Sequence, residues 1–192
     1  MDGRKIPRDA ENPFDNVFID VASWLNVHVF RPLHFTPNII TTMSLLTGLV
    51  SLIFFYHQRY IEFVIVFLVS YILDCADGNY ARRYSMVTPF GDLYDHFSDV
   101  AKITVLILLV YVHPIPLRVK IAFYLALFVL GFLSNVHLGC QERMYNTAES
   151  PFLSPMCNLC PSSPSSIYVT RYIGVGTLQV AIAAFGIYLY SI

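Results

Sequence analysis

Four of the five aspartates in residues 74–99 form two pairs at helical spacing, in a segment that reads DCADGNYARRYSMVTPFGDLYDHFSD. Asp74 and Asp77 are three residues apart, and Asp95 and Asp99 are four apart, so each pair lies on one face of a helix. If the two helices face each other, the carboxylates converge, and their repulsion and desolvation are costly. Divalent cations relieve both costs, and carboxylate-rich sites suit magnesium, manganese or calcium. The spacing therefore predicts a metal site.

Small residues accompany the aspartates. Gly78 and Ala81 continue the helix face of the first pair, and Gly91 continues the face of the second. Their small size leaves a hollow beside the predicted metals, large enough for a flat base and a diphosphate. Arg82 lies at the edge of this face and could reach a phosphate. We therefore expect a phosphate-containing ligand next to the metals.

The composition places these residues in a membrane. The chain has 192 residues, of which 56% are hydrophobic and 13% are charged, with a mean hydropathy of +0.57. Soluble domains carry about 25% charged residues, and a water-soluble fold of this length could not bury so much apolar surface. The length allows one domain, and the net charge of −1 gives no indication of a nucleic-acid partner. We predict an all-α integral membrane protein.

Five apolar stretches are long enough to cross a membrane, which takes about 20 residues. They cover residues 37–56, 60–83, 90–112, 117–139 and 172–190. Thr88 and Pro89 predict the start of a helix, through a threonine cap and a proline in the first turn. The loop before them is therefore short, and the helices on either side of it should be antiparallel neighbours.

The segments before the first span differ in character. Residues 1–12 are polar, and we expect them to be loose. Residues 13–31 have apolar positions near helical spacing, which predicts an amphipathic helix on the membrane surface with Trp24 at the level of the headgroups. A helix packed on the rest of the protein is the alternative. Residues 13–192 would form a single membrane-embedded domain, a bundle of five to six transmembrane helices.

The distribution of positive charge predicts the orientation. With the N-terminus in the cytosol, the cytosolic side holds Arg4, Lys5, Arg8, Arg31, Arg82, Arg83, Arg143 and Arg171. The far side holds only Arg59, Arg118 and Lys120. We therefore predict that the N-terminus and the aspartate-rich ends of the helices face the cytosol.

The cysteines give a weak signal. Cys157 and Cys160 form one CxxC pair, whereas a tetrahedral structural zinc site needs four ligands. We expect ordinary loop cysteines, and a redox or metal role is the alternative.

The aspartate segment also resembles a known family. It reads D74-x2-D77-G78-x2-A81-R82-x8-G91-x3-D95-x3-D99, which is similar to the complete motif of the CDP-alcohol phosphotransferases. The Pro37-Asn38 pair before the first span resembles that family's Pro-Asn start, and the family usually has six transmembrane helices. The resemblance implies a phospholipid-synthesising membrane enzyme, in the endoplasmic reticulum if the source is eukaryotic.

The resemblance also assigns roles to residues. It implies two divalent ions, Mg2+ or Mn2+, held by Asp74, Asp77, Asp95 and Asp99. It implies a CDP-linked donor bound by Asp77, Gly78, Ala81, Arg82, Gly91 and Asn38. Asp99 would take the proton of the acceptor hydroxyl, and CMP would leave. The acceptor or donor lipid comes from the membrane, and a homodimer is compatible with these expectations.

The stretch T-P-F-G-D-L-Y-D-H, residues 88–96, resembles most the branch that joins CDP-choline or CDP-ethanolamine to diacylglycerol. In that branch the residue matching His96 is a candidate catalytic base, because histidine is the side chain that most readily exchanges a proton near neutral pH. A histidine bonded to a neighbour such as Asp92 is the alternative. We predict the aminoalcohol donors; CDP-diacylglycerol with serine, inositol or glycerol phosphate is the alternative.

Three further cations have two interpretations each. Lys102 lies one turn beyond Asp99 and would either pair with it or bind a lipid phosphate. Arg143 and Arg171 flank the last loop and could bind a phosphate of the acceptor, but the orientation bias explains them equally well. An ion transporter is the alternative of another class, because carboxylates within membranes also mark ion pathways.

Overall fold

A computed structural model of the chain describes residues 2–145, 154–160, 163 and 165–191. Within these residues the helices are α1 Pro13–Leu25, α2 Pro37–Tyr56, α3 Tyr60–Arg83, α4 Pro89–Val112, α5 Leu117–Tyr145, α6 Ser154–Cys157, α7 Ser166–Thr170 and α8 Val175–Tyr190. A π-helical turn, Asn26–Phe30, extends α1, and a 3-10 turn, Arg171–Ile173, leads towards α8. The described part of the chain contains no strand. The prediction of an all-α fold is confirmed.

Five of these helices are long, and they correspond to the five predicted spans. By length and composition, residues 37–56, 117–145 and 166–190 are apolar enough to cross a membrane. The other two, α3 and α4, are each 24 residues long and carry the aspartates. The short helices α6 and α7 have four and five residues, too few to cross a membrane. The described residues therefore contain no sixth long helix.

The long helices form one bundle. Helix α2 packs against both α3 and α4, whereas α3 and α4 make few contacts with each other. Helix α8 packs against α3 and α5. Large apolar side chains such as Phe97, Tyr111 and Phe128 cover the outside of the bundle and are more than 60% exposed. A surface of this kind fits lipid better than water, and the protein is an all-α membrane protein.

Helix α1 combines the two arrangements that the sequence left open. Its apolar side chains point outward, and the exposed ones are Phe14, Val17, Val21 and Trp24. Asp15 points inward, where it accepts hydrogen bonds from the Tyr71 hydroxyl (2.5 Å) and from the backbone N–H of Gly176 (3.1 Å). Helix α8 has no side-chain cap of its own, so Asp15 caps it from a neighbouring helix. Burial raises the pKa of Asp15 to about 6.

The segment before α1 is packed, which differs from the loose segment that the sequence predicts. Ile6 and Ala10 are buried, and Lys5 forms an ion pair with Glu142 of α5 at 3.4 Å. The Asn12 side chain accepts a hydrogen bond from the backbone N–H of Phe14 and so caps α1. The residues that this segment contacts are distant in sequence, so local sequence patterns do not predict its packing.

The cysteines also differ from the prediction. Cys140 and Cys160 form a disulfide with their Cα atoms 5.0 Å apart, and Cys157 is a free thiol. Gly139 lets the two segments approach, because a Cβ atom there would lie 2.5 Å from the backbone of Met156. The prediction of ordinary loop cysteines is therefore wrong for Cys160.

Candidate active site

The aspartates meet where α3 ends and α4 begins. Thr88 caps α4, since its Oγ1 accepts the backbone N–H of Gly91 at 3.0 Å, and Pro89 is the first helical residue. The predicted helix start is therefore confirmed. Because α3 and α4 hardly touch each other, a gap remains between them. Asp74, Asp95 and Asp99 each place one oxygen within 4.8 Å of the others in this gap.

Lys102 partly neutralises the cluster. Its Nζ lies 2.9 Å from Asp74 and 2.9 Å from Asp99, and it donates a hydrogen bond to Ser44 Oγ at 3.2 Å. The ion pair with Asp99 is the first of the two interpretations that the sequence offered for Lys102. The second ion pair, with Asp74, links α4 to α3. The side chain passes over Gly48, where a Cβ atom would lie 2.6 Å from Lys102 Cδ.

Two carboxylate oxygens, one in the cluster on Asp95 and one beside it on Asp77, have no hydrogen-bond partner. Among the described residues, Oδ2 of Asp77 and Oδ1 of Asp95 are buried and accept no hydrogen bond. An unsatisfied buried carboxylate oxygen is costly. Four carboxylates with one nearby ammonium leave an excess of negative charge, and oxygen-only ligands suit hard divalent cations. The residues present therefore fit one or more such cations.

A cleft opens beside these oxygens, between the site ends of α2, α3 and α4. It is lined by Pro37, Asn38, Thr41, Asp77, Gly78, Ala81, Arg82, Met86, Val87, Thr88, Gly91, Asp92 and Asp95. Every residue that the resemblance assigns to donor binding is in this set. The wall at Gly91 is tight, because a Cβ atom there would lie 3.1 Å from Thr88 Oγ1 and 3.2 Å from Asn38 Oδ1.

The structure does not bring the remaining predicted residues to the cluster. His96 turns back on its own helix, with Nδ1 2.8 Å from the Asp92 carbonyl oxygen and 3.6 Å from the Asp92 carboxylate. Arg143 donates to the carbonyl oxygen of Cys160 at 2.9 Å. Arg171 contacts the carbonyl oxygen of Asp9 and stacks on Tyr172. Both arginines hold loop segments, and neither lines the cleft.

The sequence reading missed the face of α2 that supports the cluster. The buried small residues of this helix recur at helical spacing, and they are Thr41, Ser44, Gly48 and Ser51. Small residues at this spacing in an apolar helix are typical of close helix contact in membranes. This stripe was the available signal that α2 lies against both aspartate-bearing helices. It places Ser44 and Gly48 around Lys102.

The described residues therefore form an all-α membrane bundle with a carboxylate cluster beside a polar cleft. The chain belongs to the CDP-alcohol phosphatidyltransferase family, because the model of that family matches residues 34–154. This is a family of transferases.

Three relatives are similar over part of the chain. One is an uncharacterised CDP-alcohol phosphatidyltransferase class-I family protein 2 of Dictyostelium discoideum, 36% identical over 42% of this chain and 22% of its own length. The others are CDP-diacylglycerol–serine O-phosphatidyltransferases from two strains of Helicobacter pylori, each 31% identical over 36% of this chain and 30% of their own length. The chain therefore covers less than a third of these relatives. No solved structure gives a significant match.

Proposed function

We propose that this protein transfers a substituted phosphate from a CDP-linked donor to a hydroxyl acceptor in phospholipid synthesis, releasing CMP. The observation that carries the proposal is that Asp77 and Asp95, each with one buried oxygen that accepts no hydrogen bond, line the same cleft as Arg82. A cleft with this lining offers carboxylates that bind cations and a guanidinium that binds phosphate. Both are needed to bind a diphosphate.

The family resemblance and the carboxylate ligands at the site together support two divalent cations, Mg2+ or Mn2+. Asp74, Asp77, Asp95 and Asp99 would hold them. When bound, they would stabilise negative charge on the attacking and leaving oxygens of the displacement.

The protein's own side chains bind the substrates and transfer the proton. Arg82 and the small residues Gly78 and Gly91 seat the diphosphate and the base. The acceptor hydroxyl attacks the distal phosphorus, and the bond from that phosphorus to the bridging oxygen breaks. Asp99 takes the hydroxyl proton, since its side chain is 53% exposed whereas Asp77 is buried. Lys102 holds one oxygen of Asp99 and so orients this base.

For the substrates we favour CDP-diacylglycerol with a small polar alcohol over the aminoalcohol donors. His96 supplied the mechanistic reason for the aminoalcohol branch, and it faces Asp92 instead of the cluster. Two relatives carry the name of a serine-transferring enzyme that uses CDP-diacylglycerol. The stretch around residues 88–96 supports CDP-choline or CDP-ethanolamine with diacylglycerol, which is the second candidate.

The charge bias supports an active site at the cytosolic face, in the endoplasmic reticulum if the source is eukaryotic. Cysteine labelling of the 84–88 loop from one side of sealed vesicles tests the orientation. A homodimer remains a prediction, and light scattering of the detergent-solubilised protein tests it.

The reaction is tested by CMP release from purified protein with Mg2+ or Mn2+, offered each donor class with its acceptors. Asp77→Asn and Asp95→Asn should each abolish release without unfolding the protein, because each removes one negative charge from a site with an excess of them, and that charge would hold a cation. Asp9→Asn is the matched control, since Asp9 is exposed and does not line the cleft. Activity that survives exhaustive chelation, or full activity of either site variant, would refute the proposal. An ion transporter would release no CMP.

A further inference from the structure

Arg82 is held from outside its own helix. Its Nε donates a hydrogen bond to the carbonyl oxygen of Gly3 at 3.0 Å. The rest of the guanidinium lies along α3, and Nη1 is 3.3 Å from the position that a Cβ atom on Gly78 would take. With Nε occupied, the two terminal nitrogens of Arg82 remain for a ligand in the cleft. Planar guanidinium donors bind phosphate best when their orientation is set in advance.

The residues that hold Arg82, residues 2–4, are fixed to α3 by a second bond. The Asn79 side chain donates to the carbonyl oxygen of Asp2 at 3.1 Å. The orientation of this amide is set from the other side, because Asn79 Oδ1 accepts a hydrogen bond from the Asn26 side chain at 3.0 Å. Asn26 and Asn79 are both fully or almost fully buried. The amide therefore has one orientation, with its NH2 group towards residues 2–4.

Gly3 is the residue that makes this contact possible. Its φ angle is +77°, a conformation that side-chain-bearing residues rarely adopt. A Cβ atom at this position would contact the Asn79 carbonyl oxygen and lie 2.9 Å from Asn79 Cγ. Beyond Gly3, Arg4 anchors the segment to α1 through Asp20 at 2.6 Å. Any other residue at position 3 would lift the segment away from Arg82.

We propose that residues 2–4 form a strap that positions Arg82 for the diphosphate, and that Gly3 is a positioning residue of the donor site. This inference rests on the proposed function and deepens it, because it assigns part of the donor affinity to a segment outside the aspartate motif. The strap touches no substrate itself. It acts by removing alternative orientations of one arginine.

The test uses the full chain in detergent with Mg2+ and titrates it calorimetrically with CDP, the fragment common to all donors. Gly3→Ala should weaken CDP binding about tenfold, the scale of losing one hydrogen bond to a charged group. Its melting temperature should fall as well, because the lifted strap leaves the buried Asn79 amide without its partner, so CDP affinity is the deciding readout. Gly131→Ala is the matched control, since a Cβ atom at Gly131 has open space, and it should leave CDP affinity unchanged.

A double-mutant cycle separates positioning from general stability. Arg82→Lys keeps the charge but loses the donor that the strap holds, so adding Gly3→Ala to Arg82→Lys should change CDP affinity by less than twofold. Affinities are compared per binding-competent site, from the stoichiometry of each titration, so partial unfolding does not obscure the result. Equal CDP affinity of Gly3→Ala and wild type, or full additivity in the cycle, would overturn the strap while leaving the proposed function intact. A wild-type protein that does not bind CDP would overturn both.

Discussion

Replacing Lys102 with methionine tests the electrostatics of the site most directly. The side chain keeps its length and passage over Gly48, but the ammonium that bridges Asp74 and Asp99 is lost. Each ion pair has a distance of 2.9 Å, and at an effective dielectric constant of about 20 each is worth about 6 kcal/mol in Coulomb energy alone. Desolvation of the three groups offsets much of this energy.

The net effect follows from what the substitution leaves behind. Removing one partner of a buried ion pair costs about 3–5 kcal/mol, and we expect the lower end because Asp99 is half exposed. For a chain of this length, about 3 kcal/mol corresponds to a fall in melting temperature of about 10 °C. A divalent cation should recover much of the loss, because it replaces the missing positive charge. Because the wild type binds the cation as well, only the difference in affinity narrows the gap: tenfold tighter binding to the variant, which lacks the competing ammonium, recovers about 1.4 kcal/mol.

The assay is thermal unfolding of the purified protein in detergent, with EDTA and with saturating Mg2+. We expect a gap of about 10 °C in melting temperature between wild type and Lys102→Met in EDTA, which narrows to about half in Mg2+. Lys120→Met is the matched control, because Lys120 is at the opposite end of the bundle and contacts Tyr111 instead of a carboxylate. A gap that is absent in EDTA, or that is the same with and without Mg2+, would refute this account of the cluster.

Three further predictions concern separate parts of the protein. Gly91→Leu should weaken CDP binding at least tenfold by filling the cleft wall, and unchanged affinity in a calorimetric titration would place the donor elsewhere. The pKa of Asp15 is raised from 3.8 to about 6, so the folded state holds a proton that the unfolded chain has lost, and stability should fall by about 3 kcal/mol as pH rises from about 4 to 6. Thermal melts across that range should show a smaller slope for Asp15→Asn, and an equal slope would contradict the burial argument. Breaking the Cys140–Cys160 disulfide should lower the free energy of unfolding by about 3 kcal/mol. Thermal melts with and without reductant, for wild type and for Cys140→Ser, measure this loss. No effect of reductant on wild type would show that the bond does not form.

Sequence alone was enough for the features that depend on local rules. The bounds of α2 and α3 follow from apolar length, and the start of α4 follows from its threonine cap and proline, because helix formation is governed by neighbours within one or two turns. The spacing of three and four residues places each pair of aspartates on one helix face whatever the rest of the chain does. The position of Gly91 on the face of Asp95 follows from the same periodicity.

Only the tertiary structure decided which partners these helices meet. Nothing local indicates that Lys102 reaches Asp74 on another helix, or that the carbonyl oxygen of Gly3 holds Arg82. Likewise, the pairing of Cys140 with Cys160 depends on how α6 folds back on α5. Contacts of this kind are set by helix crossing, loop path and the fit of small residues such as Gly48 between helices, and these act over distances at which sequence periodicity carries no information.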